Sequence, residues 1–280
     1  PAFTGARLRR TTKDINQCAE CLVKNVGKVA DANQDFDVKK YMSSFSLDII
    51  ARVAFGLDLD SQNDPNHPFV QHMAKTLDVR IWKNPFILFA FFLPSLVPLV
   101  KKFGIRFFRK DSVEYFSKVV HQAIDERKKG KIERNDFLKL MLEAQEMKFQ
   151  RDDVDGIENH QRKPLTDDEV LSNCVIFFFA AFGTIGDAMA MTLYALATNP
   201  DVQEKILDEI NRVLGDSKDY TYDQIKGLIY LDMVIHESLR LFAPAPVSSR
   251  VCSQDIVING LKIPKDIEVV FPIYAIHMDP

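Results

Sequence analysis

Apolar residues recur every three or four positions over most of the chain, which is the period of an amphipathic helix. The pattern predicts five such helices, at Arg10–Lys28, Val38–Phe55, Ser112–Lys129, Phe137–Lys148 and Val202–Leu214. Gly130 and Gly215 follow two of these stretches and are expected to end them, because glycine readily adopts the left-handed conformation that closes many helices. The sequence therefore predicts a mainly helical protein.

The strongest helix start lies at Thr166, with Glu169 three residues later. This is the spacing of a capping box, in which each side chain binds the backbone N–H of the other residue. A helix that begins here can continue to Thr198, where Asn199-Pro200 stops it. Since Cys174–Phe182 is apolar on all sides, we expect the middle of this helix to be buried all round.

After Pro246 the pattern changes to the two-residue alternation of β-strands. Asn259-Gly260 separates Asp255–Ile258 from Leu261–Ile263 and predicts a tight hairpin, because both turn residues accept a positive φ. The fold class is therefore mainly α with a small β-sheet. No internal repeat and no linker divides the chain, so we expect residues 1–280 to form a single domain.

Composition narrows the functional classes. Hydrophobic residues make up 46% of the chain, which includes 21 Phe, and the net charge of −3 argues against a nucleic-acid partner. Four cysteines in 280 residues do not suggest a disulfide framework and favour a reducing, cytosol-facing location. Cys18 and Cys21 have the spacing of a redox or zinc pair, but no second pair accompanies them. We expect both to pack as small apolar groups.

One nearly continuous apolar segment, Phe86–Val100, is interrupted by two prolines and flanked by Trp82 and basic residues. It is shorter than the about 20 residues that span a bilayer, and no other segment reaches that length or qualifies as a signal peptide. The residues themselves leave two interpretations open, a segment that dips into a membrane interface and a buried pair of short helices. The polar run from Gln150 to Lys163 has no apolar period and predicts a surface loop.

Near the C-terminal end, Glu237 and Arg240 lie three residues apart on one face of a predicted helix and can pair locally. Their apolar neighbours, which include Leu231, Val234 and Leu239, suggest that this helix is mostly inside the protein. Buried charges must be paired, so we expect a buried, structural ion pair. By itself, however, Glu-x-x-Arg occurs on many surface helices by chance.

The other segments that accompany the Glu237–Arg240 pair make a chance occurrence less convincing. These segments are Phe177–Thr184, Leu193–Lys205, Tyr230–Met233, Leu241–Val247, Arg250–Cys252, Ile263–Lys265 and Tyr274–Pro280. In this order and at these separations the set resembles the haem-thiolate monooxygenases, the cytochromes P-450. It is most similar to the microsomal animal group that includes the broad-specificity drug and steroid oxidases and thromboxane synthase.

The resemblance covers nearly the whole chain and is densest after about Leu165. The family's Phe-x-x-Gly-x-x-x-Cys loop, its membrane anchor and its Trp-x-x-x-Arg helix have no counterpart between Pro1 and Pro280. The resemblance therefore implies an incomplete P-450-like fold, an internal part of a longer protein whose iron-binding cysteine lies beyond Pro280. Cys252 matches a family segment that enters a strand, and we assign no residue of the chain as a metal ligand.

The resemblance also implies roles for individual residues. Thr184 would be the catalytic hydroxyl, and the small residues Ala180 and Ala181 would lie beside the haem. Arg250 would contact a haem propionate, while Glu237 and Arg240 would belong to a network that orders the haem-binding core. The substrate-facing positions would be Phe179, Ala180, Pro244, Ala245 and Pro246.

The chain departs from the family at Gly183, because the family usually has an acid directly before the threonine. Without the acid, the ability of Thr184 to relay protons to bound oxygen is in question. The alternative for Thr184 is a helix hydroxyl that bonds back to the carbonyl of Ala180. Asp187 is the nearest available carboxylate, one turn beyond Gly183.

The implied function is that of a parent enzyme that inserts one oxygen atom from O2 into a lipophilic small molecule. It would use haem b held by a cysteine thiolate and electrons from an NADPH-dependent flavin reductase. It would lie at the endoplasmic reticulum membrane facing the cytosol, and the resemblance favours membrane contact for Phe86–Val100. The chain alone is expected to be inactive.

Two alternatives to monooxygenation remain. The first is an endoperoxide isomerase of the thromboxane-synthase type, whose chemistry needs no proton delivery and would tolerate Gly183. The second is a non-catalytic protein, a decayed or incomplete copy. The sequence does not define the substrate.

Overall fold

The computed structural model describes residues 4–77, 99, 102, 109–130, 136–146, 164–215 and 220–279. In chain order the described helices are α1 (Gly5–Asp31), α2 (Val38–Phe55), α3 (Pro68–Leu77), α4 (Lys110–Lys128), α5 (Phe137–Glu146), α6 (Asp167–Thr198), α7 (Pro200–Leu214), α8 (Tyr222–Lys226), α9 (Ile229–Leu241) and α10 (Ile273–Met278). The described strands are β1 (Ser248–Val251), β2 (Ile256–Ile258), β3 (Leu261–Ile263) and β4 (Glu268–Phe271). The prediction of a mainly helical fold with few strands is confirmed.

Local signals place several element boundaries. The bounds of α2 are those that the apolar period predicts. The capping box at the start of α6 is present, since Glu169 N donates to Thr166 Oγ1 at 3.2 Å and Thr166 N donates to the Glu169 carboxylate at 2.8 Å. Gly130 and Gly215 both take a positive φ just after α4 and α7.

The strands form two separate antiparallel pairs, β1 with β4 and β2 with β3. The β2–β3 hairpin turns at Asn259 and Gly260, whose φ angles of 49° and 82° are the positive values that an Asn-Gly turn requires. Ile256 pairs with Ile263 and Ile258 with Leu261 across this hairpin. The predicted hairpin is therefore confirmed.

The chain divides within α6 into two compact units, Pro1–Gly186 and Asp187–Pro280. In the first unit, four fully buried phenylalanines from α2, α3, α4 and α6 form the centre of the core: Phe55, Phe69, Phe116 and Phe178. The rings of Phe55 and Phe178 stack at 3.9 Å, and those of Phe69 and Phe116 meet edge to face at 4.9 Å. Burial of a ring of this size contributes about 1.5–3 kcal/mol, so this cluster is a major source of stability.

That residues 1–280 form a single domain stays a prediction.

A buried ion pair that the sequence analysis did not identify joins α4 to α5. The side chains of Arg127 and Asp136 are only 7% and 5% exposed. Arg127 Nη1 donates to Asp136 Oδ1 at 2.7 Å, while Nη2 contacts the other carboxylate oxygen and donates to the carbonyl of Phe55 at 3.1 Å. Asp136 also accepts from the N–H of Lys139 in the first turn of α5. The pair thus connects the ends of α2 and α4 to the start of α5.

The Cys18 thiol is buried, and this burial raises its pKa to about 11, as expected for a packed apolar cysteine. Cys21 is half-buried and accepts hydrogen bonds from the side-chain amides of Asn25 and Asn63. Within the described ranges, no three His, Cys, Asp or Glu residues lie close enough together to hold a metal ion.

The segment Phe86–Val100, except for Leu99, and the run from Gln150 to Lys163 lie outside the described residues. Among the described helices, α6 is long and apolar enough to cross a membrane by length and composition, which the sequence analysis did not anticipate. Its Val170, Cys174 and Phe178 are fully buried in the core of the first unit. That packing is typical of a core helix.

Candidate functional site

One edge of α6 is exposed to solvent, although the stretch Cys174–Phe182 within it is apolar on all sides. Ile176 is 49% exposed, and Ala180 and Thr184 are exposed at the next two positions of the same helix face. The expectation that Cys174–Phe182 is buried on every side is therefore wrong. Apolar composition shows that a helix can be buried, but the neighbouring helices decide which faces they cover.

The hydroxyl of Thr184 is engaged within the helix. Thr184 Oγ1 donates to the carbonyl oxygen of Ala180 at 2.5 Å, which is the helix-internal alternative that the sequence left open. A hydroxyl has one hydrogen to donate and two lone pairs that accept. In this conformation Thr184 can accept a hydrogen bond from a ligand, and it must release Ala180 before it can donate one.

The structure separates residues that the family pattern groups together. Ala180 lies on the open edge with Thr184, whereas Ala181 is buried and its carbonyl accepts from Ser46 Oγ at 3.2 Å. Phe179 is also buried, with its ring 5.2 Å from that of Phe116. This placement does not support the predicted contact of Phe179 with a substrate. Gly183 occupies the turn between Ala180 and Thr184, so the described edge carries a hydroxyl and a methyl group but no acid at that position.

The predicted ion pair on α9 forms, but at the surface. Arg240 Nε and Nη2 donate to the two carboxylate oxygens of Glu237 at 2.7 and 2.6 Å. The two side chains are 43% exposed for Arg240 and 55% exposed for Glu237. The expectation of a buried pair is therefore wrong, because Met233 and Ile235 on the same helix are themselves exposed and do not cover it. The hydrogen bonds from Arg240 lower the pKa of Glu237.

Arg240 has a second contact that the sequence analysis did not identify. Its Nη1 donates to the carbonyl of His277 at 2.8 Å, and His277 Nδ1 donates in return to the carbonyl of Arg240 at 3.2 Å, since a carbonyl can only accept. Arg240 therefore links α9 to α10. Between the two charged residues, Ser238 is the buried member of the motif, and its hydroxyl is hydrogen-bonded to that of Thr192 with the two oxygens 2.9 Å apart.

Arg250 and the residues Pro244, Ala245 and Pro246 are exposed in the second unit, at and just before β1. The Arg250 guanidinium donates to the carbonyl of Ser249 at 2.7 Å and to Ser248 Oγ at 3.2 Å, both neutral acceptors. A guanidinium has five N–H donors, so Arg250 keeps donors for an anionic group such as a carboxylate. Cys252 follows β1 and its thiol donates to the carbonyl of Gln254 at 2.9 Å.

Each unit separately offers one feature that suits part of a flat, mostly apolar cofactor with carboxylate groups at its edge. In the first unit, Ala180 places only a methyl group at its position on the exposed edge, between Ile176 and Thr184, so a planar ring can approach the helix backbone at that point. In the second unit, Arg250 offers charged donors that suit a carboxylate. Each feature fits such a cofactor on its own terms.

A buried carboxylate, Glu209, was also missed by the sequence analysis. Its two oxygens accept from the backbone N–H groups of Tyr230 at 2.8 Å and Leu231 at 3.0 Å, at the start of α9. The bond from Tyr230 is the main cause of a lowered pKa for Glu209. A signal was present, because Glu209 falls three residues after the buried Ile206 on the apolar side of α7.

Replacing Glu209 with glutamine is expected to lower the thermal stability of the protein at neutral pH. A lowered folded-state pKa means that the ionised carboxylate stabilises the fold above the ordinary glutamate pKa of about 4.3. This stabilisation is lost as the pH falls from there through the lowered pKa. Melting temperatures of wild type and Glu209→Gln should therefore differ at pH 7 and converge in acid. Asp208→Asn, an exposed neighbour on the same helix, serves as the control, and a pH-independent difference for Glu209→Gln would contradict this explanation.

The amino-acid sequence of the chain is similar to those of several known proteins. The cytochrome P450 family model matches residues 1–280. The chain is 36% identical to cytochrome P450 3A9 of Rattus norvegicus, 36% to cytochrome P450 3A5 of Homo sapiens and 37% to cytochrome P450 3A13 of Mus musculus. Each match covers 100% of this chain and 54% of the relative, so the chain spans about half the length of the curated relatives it matches. These relatives do not point to an endoperoxide isomerase.

Proposed function

The chain belongs to the cytochrome P450 family, and on this premise we propose that it is part of a haem-thiolate monooxygenase that inserts one oxygen atom from O2 into a lipophilic small molecule. Family membership implies a haem cofactor, which supplies the redox and oxygen chemistry when it is bound. The observation that carries the proposal is the open Ala180–Thr184 edge of α6. A core helix that exposes a methyl group and a hydroxyl has the small surface and the proton-exchanging group that such a site needs.

The residues of this chain would supply binding and proton handling. Ala180 leaves room for the ring and for a small ligand beside it. Thr184 donates to Ala180 in the present conformation and can therefore only accept a hydrogen bond from a ligand; it could donate one once its hydroxyl turns away from Ala180. Arg250 would hold a haem propionate through its free donors, and Arg240 keeps α9 and α10 together through His277. Pro244, Ala245 and Pro246 are exposed and would face the substrate.

The proposal extends to the setting of the parent protein. A haem monooxygenase of this kind takes electrons from an NADPH-dependent flavin reductase and acts on lipophilic substrates. It would lie at the endoplasmic reticulum membrane and face the cytosol, and Phe86–Val100 would touch the membrane surface. All four cysteines are free and two of them, Cys18 and Cys174, are buried, which agrees with a reducing compartment.

Thr184 and Gly183 test this proposal directly in the haem-loaded parent protein with reductase and a confirmed substrate. Thr184→Ala is expected to lower the ratio of product formed to nicotinamide cofactor consumed several-fold, because it removes the hydroxyl that handles protons. Gly183→Glu is expected to raise the ratio, because it restores a carboxylate beside that hydroxyl.

Thr198→Ala is the matched control, since Thr198 lies on the same helix and also bonds back to a helix carbonyl, that of Tyr194. It should leave the ratio unchanged. Equal ratios in wild type, Thr184→Ala and Gly183→Glu would overturn the proposed proton relay. An absence of any product would favour the non-catalytic alternative.

A further inference from the structure

Helix α2 packs through small residues against α6, at Ala181 and Gly186. Three of the four residues Ser43-Ser44-Phe45-Ser46 are serines, and all three serines are buried. Ser46 is only 2% exposed, and its hydroxyl donates to the carbonyl of Ala181 at 3.2 Å across 135 positions of sequence. This bond is a direct contact between α2 and the turn of α6 that carries Thr184.

A second contact shows how close the two helices are. A Cβ atom placed on Gly186 would lie 2.6 Å from Ser43 Oγ and 2.9 Å from Ser43 Cα. Only glycine therefore fits at this point of α6. At 100° per residue, Gly186 lies on roughly the opposite side of the helix from the Ala180–Thr184 edge. Through these contacts, helix α2 fixes the position of α6 and its rotation about its own axis, and it does so on the side away from the Ala180–Thr184 edge.

The bond from Ser46 also affects the helix itself. In an α-helix the carbonyl of Ala181 accepts from the N–H of Ile185, so the hydroxyl of Ser46 shares an acceptor that the helix needs. The adjacent carbonyl, that of Ala180, receives the hydroxyl of Thr184. Gly183 lies in the same turn, just before Thr184, and it disfavours the helix by about 1 kcal/mol relative to alanine. Shared carbonyls and a glycine weaken the backbone hydrogen bonding at this turn of α6.

We infer that Ser46 is a positioning residue for Thr184. Its hydroxyl holds the Ala181 carbonyl from α2 and thereby weakens the bond from Ile185, so the turn can open and the Thr184 hydroxyl can leave Ala180 to meet a ligand. The consequence for catalysis, that Thr184 becomes able to meet a ligand, rests on the proposed function. The weakening of the bond from Ile185 to Ala181 does not depend on that function.

Amide hydrogen exchange in the haem-loaded parent protein tests the effect on the turn. Ser46→Ala removes the competing hydroxyl, so exchange in peptides that contain residues 181–187 should slow several-fold. The overall melting temperature should fall, because a buried hydrogen bond is lost. Ser46→Cys keeps a similar volume with a weak donor and should behave like Ser46→Ala.

A residue that only fills space would give the opposite result, with unchanged or faster exchange in residues 181–187, and this would overturn the inference. Ser44→Ala is the matched control, because Ser44 is a buried serine of the same helix whose backbone carbonyl accepts from Ser61 Oγ. It should leave exchange in residues 181–187 unchanged.

The catalytic consequence has its own measurement. Ser46→Ala should lower the ratio of product to cofactor consumed several-fold with little change in KM, since Thr184 then stays bonded to Ala180. Slower exchange with an unchanged ratio would overturn the positioning role. If Thr184→Ala has no effect on the ratio, the proposed function fails, and the exchange result still decides what Ser46 does to the helix.

Discussion

Asp136→Asn is expected to destabilise the protein by roughly 3–5 kcal/mol, because it leaves the positive charge of Arg127 buried without its partner. The two side chains are nearly inaccessible to water, so solvent cannot take over the role of the carboxylate. The same change weakens the bond to the N–H of Lys139 and with it the start of α5. Denaturant unfolding of wild type and variant, followed by helix content, measures the loss.

Two further variants make this expectation specific. Glu114→Gln removes one member of the exposed Lys110–Glu114 pair on the same helix, and it should change stability by less than about 1 kcal/mol. The double variant Arg127→Met with Asp136→Leu should recover much of the loss, since apolar side chains of similar size often replace a buried pair at little cost. A loss in Asp136→Asn as small as that in Glu114→Gln would show that the pair is solvated.

Gly186→Ala is expected to destabilise the protein by roughly 1–3 kcal/mol, the usual cost of overpacking. The helix propensity of alanine favours the change by only about 1 kcal/mol. The added Cβ meets the backbone of Ser43 as well as its hydroxyl. A flexible side chain can move away from such a contact, but a helix backbone cannot, so α6 must shift away from α2 and carry Thr184 with it. The melting temperature and the exchange of residues 181–187 report this shift.

Gly27→Ala in α1 is the matched control, because nothing lies within 4 Å of a Cβ at that position. It should be neutral or stabilising by up to about 1 kcal/mol. Ser43→Gly in the Gly186→Ala background removes the contact with the hydroxyl but keeps the one with Cα, so recovery should be partial. A Gly186→Ala protein as stable as Gly27→Ala would contradict the close approach of the two helices.

The ion pairs Glu237–Arg240 and Arg127–Asp136 show which properties of a charged pair can be predicted from sequence and which cannot. Glu237 and Arg240 are three residues apart, so their bond is local and could be predicted from spacing alone. Their burial could not, because it depends on chain segments far from α9. Arg127 and Asp136 are on different elements and gave no comparable signal, yet they form the buried pair.

The sequence by itself determined what depends on neighbouring residues. It defined the bounds of α2, the capping box of α6 and the Asn-Gly turn of the β2–β3 hairpin, because each is controlled by interactions within a few positions. Together with the family motifs, it also identified Thr184 and Ala180 as candidate site residues. The fold class followed from these local patterns, whereas the family was indicated by the resemblance of its ordered motifs to the cytochromes P-450.

Only the tertiary structure decided which face of α6 is open, which of Ala180 and Ala181 lies on it, and that Phe179 belongs to the core. The apolar sequence from Cys174 to Phe182 is compatible with burial on any side, so the outcome depends on where α2, α3 and α4 pack. The bond from Ser46 to Ala181 spans 135 positions, and no local pattern encodes such a contact. The physical reason is that burial and long-range hydrogen bonds are properties of the packed chain, whereas helix period, caps and turns are properties of a short segment.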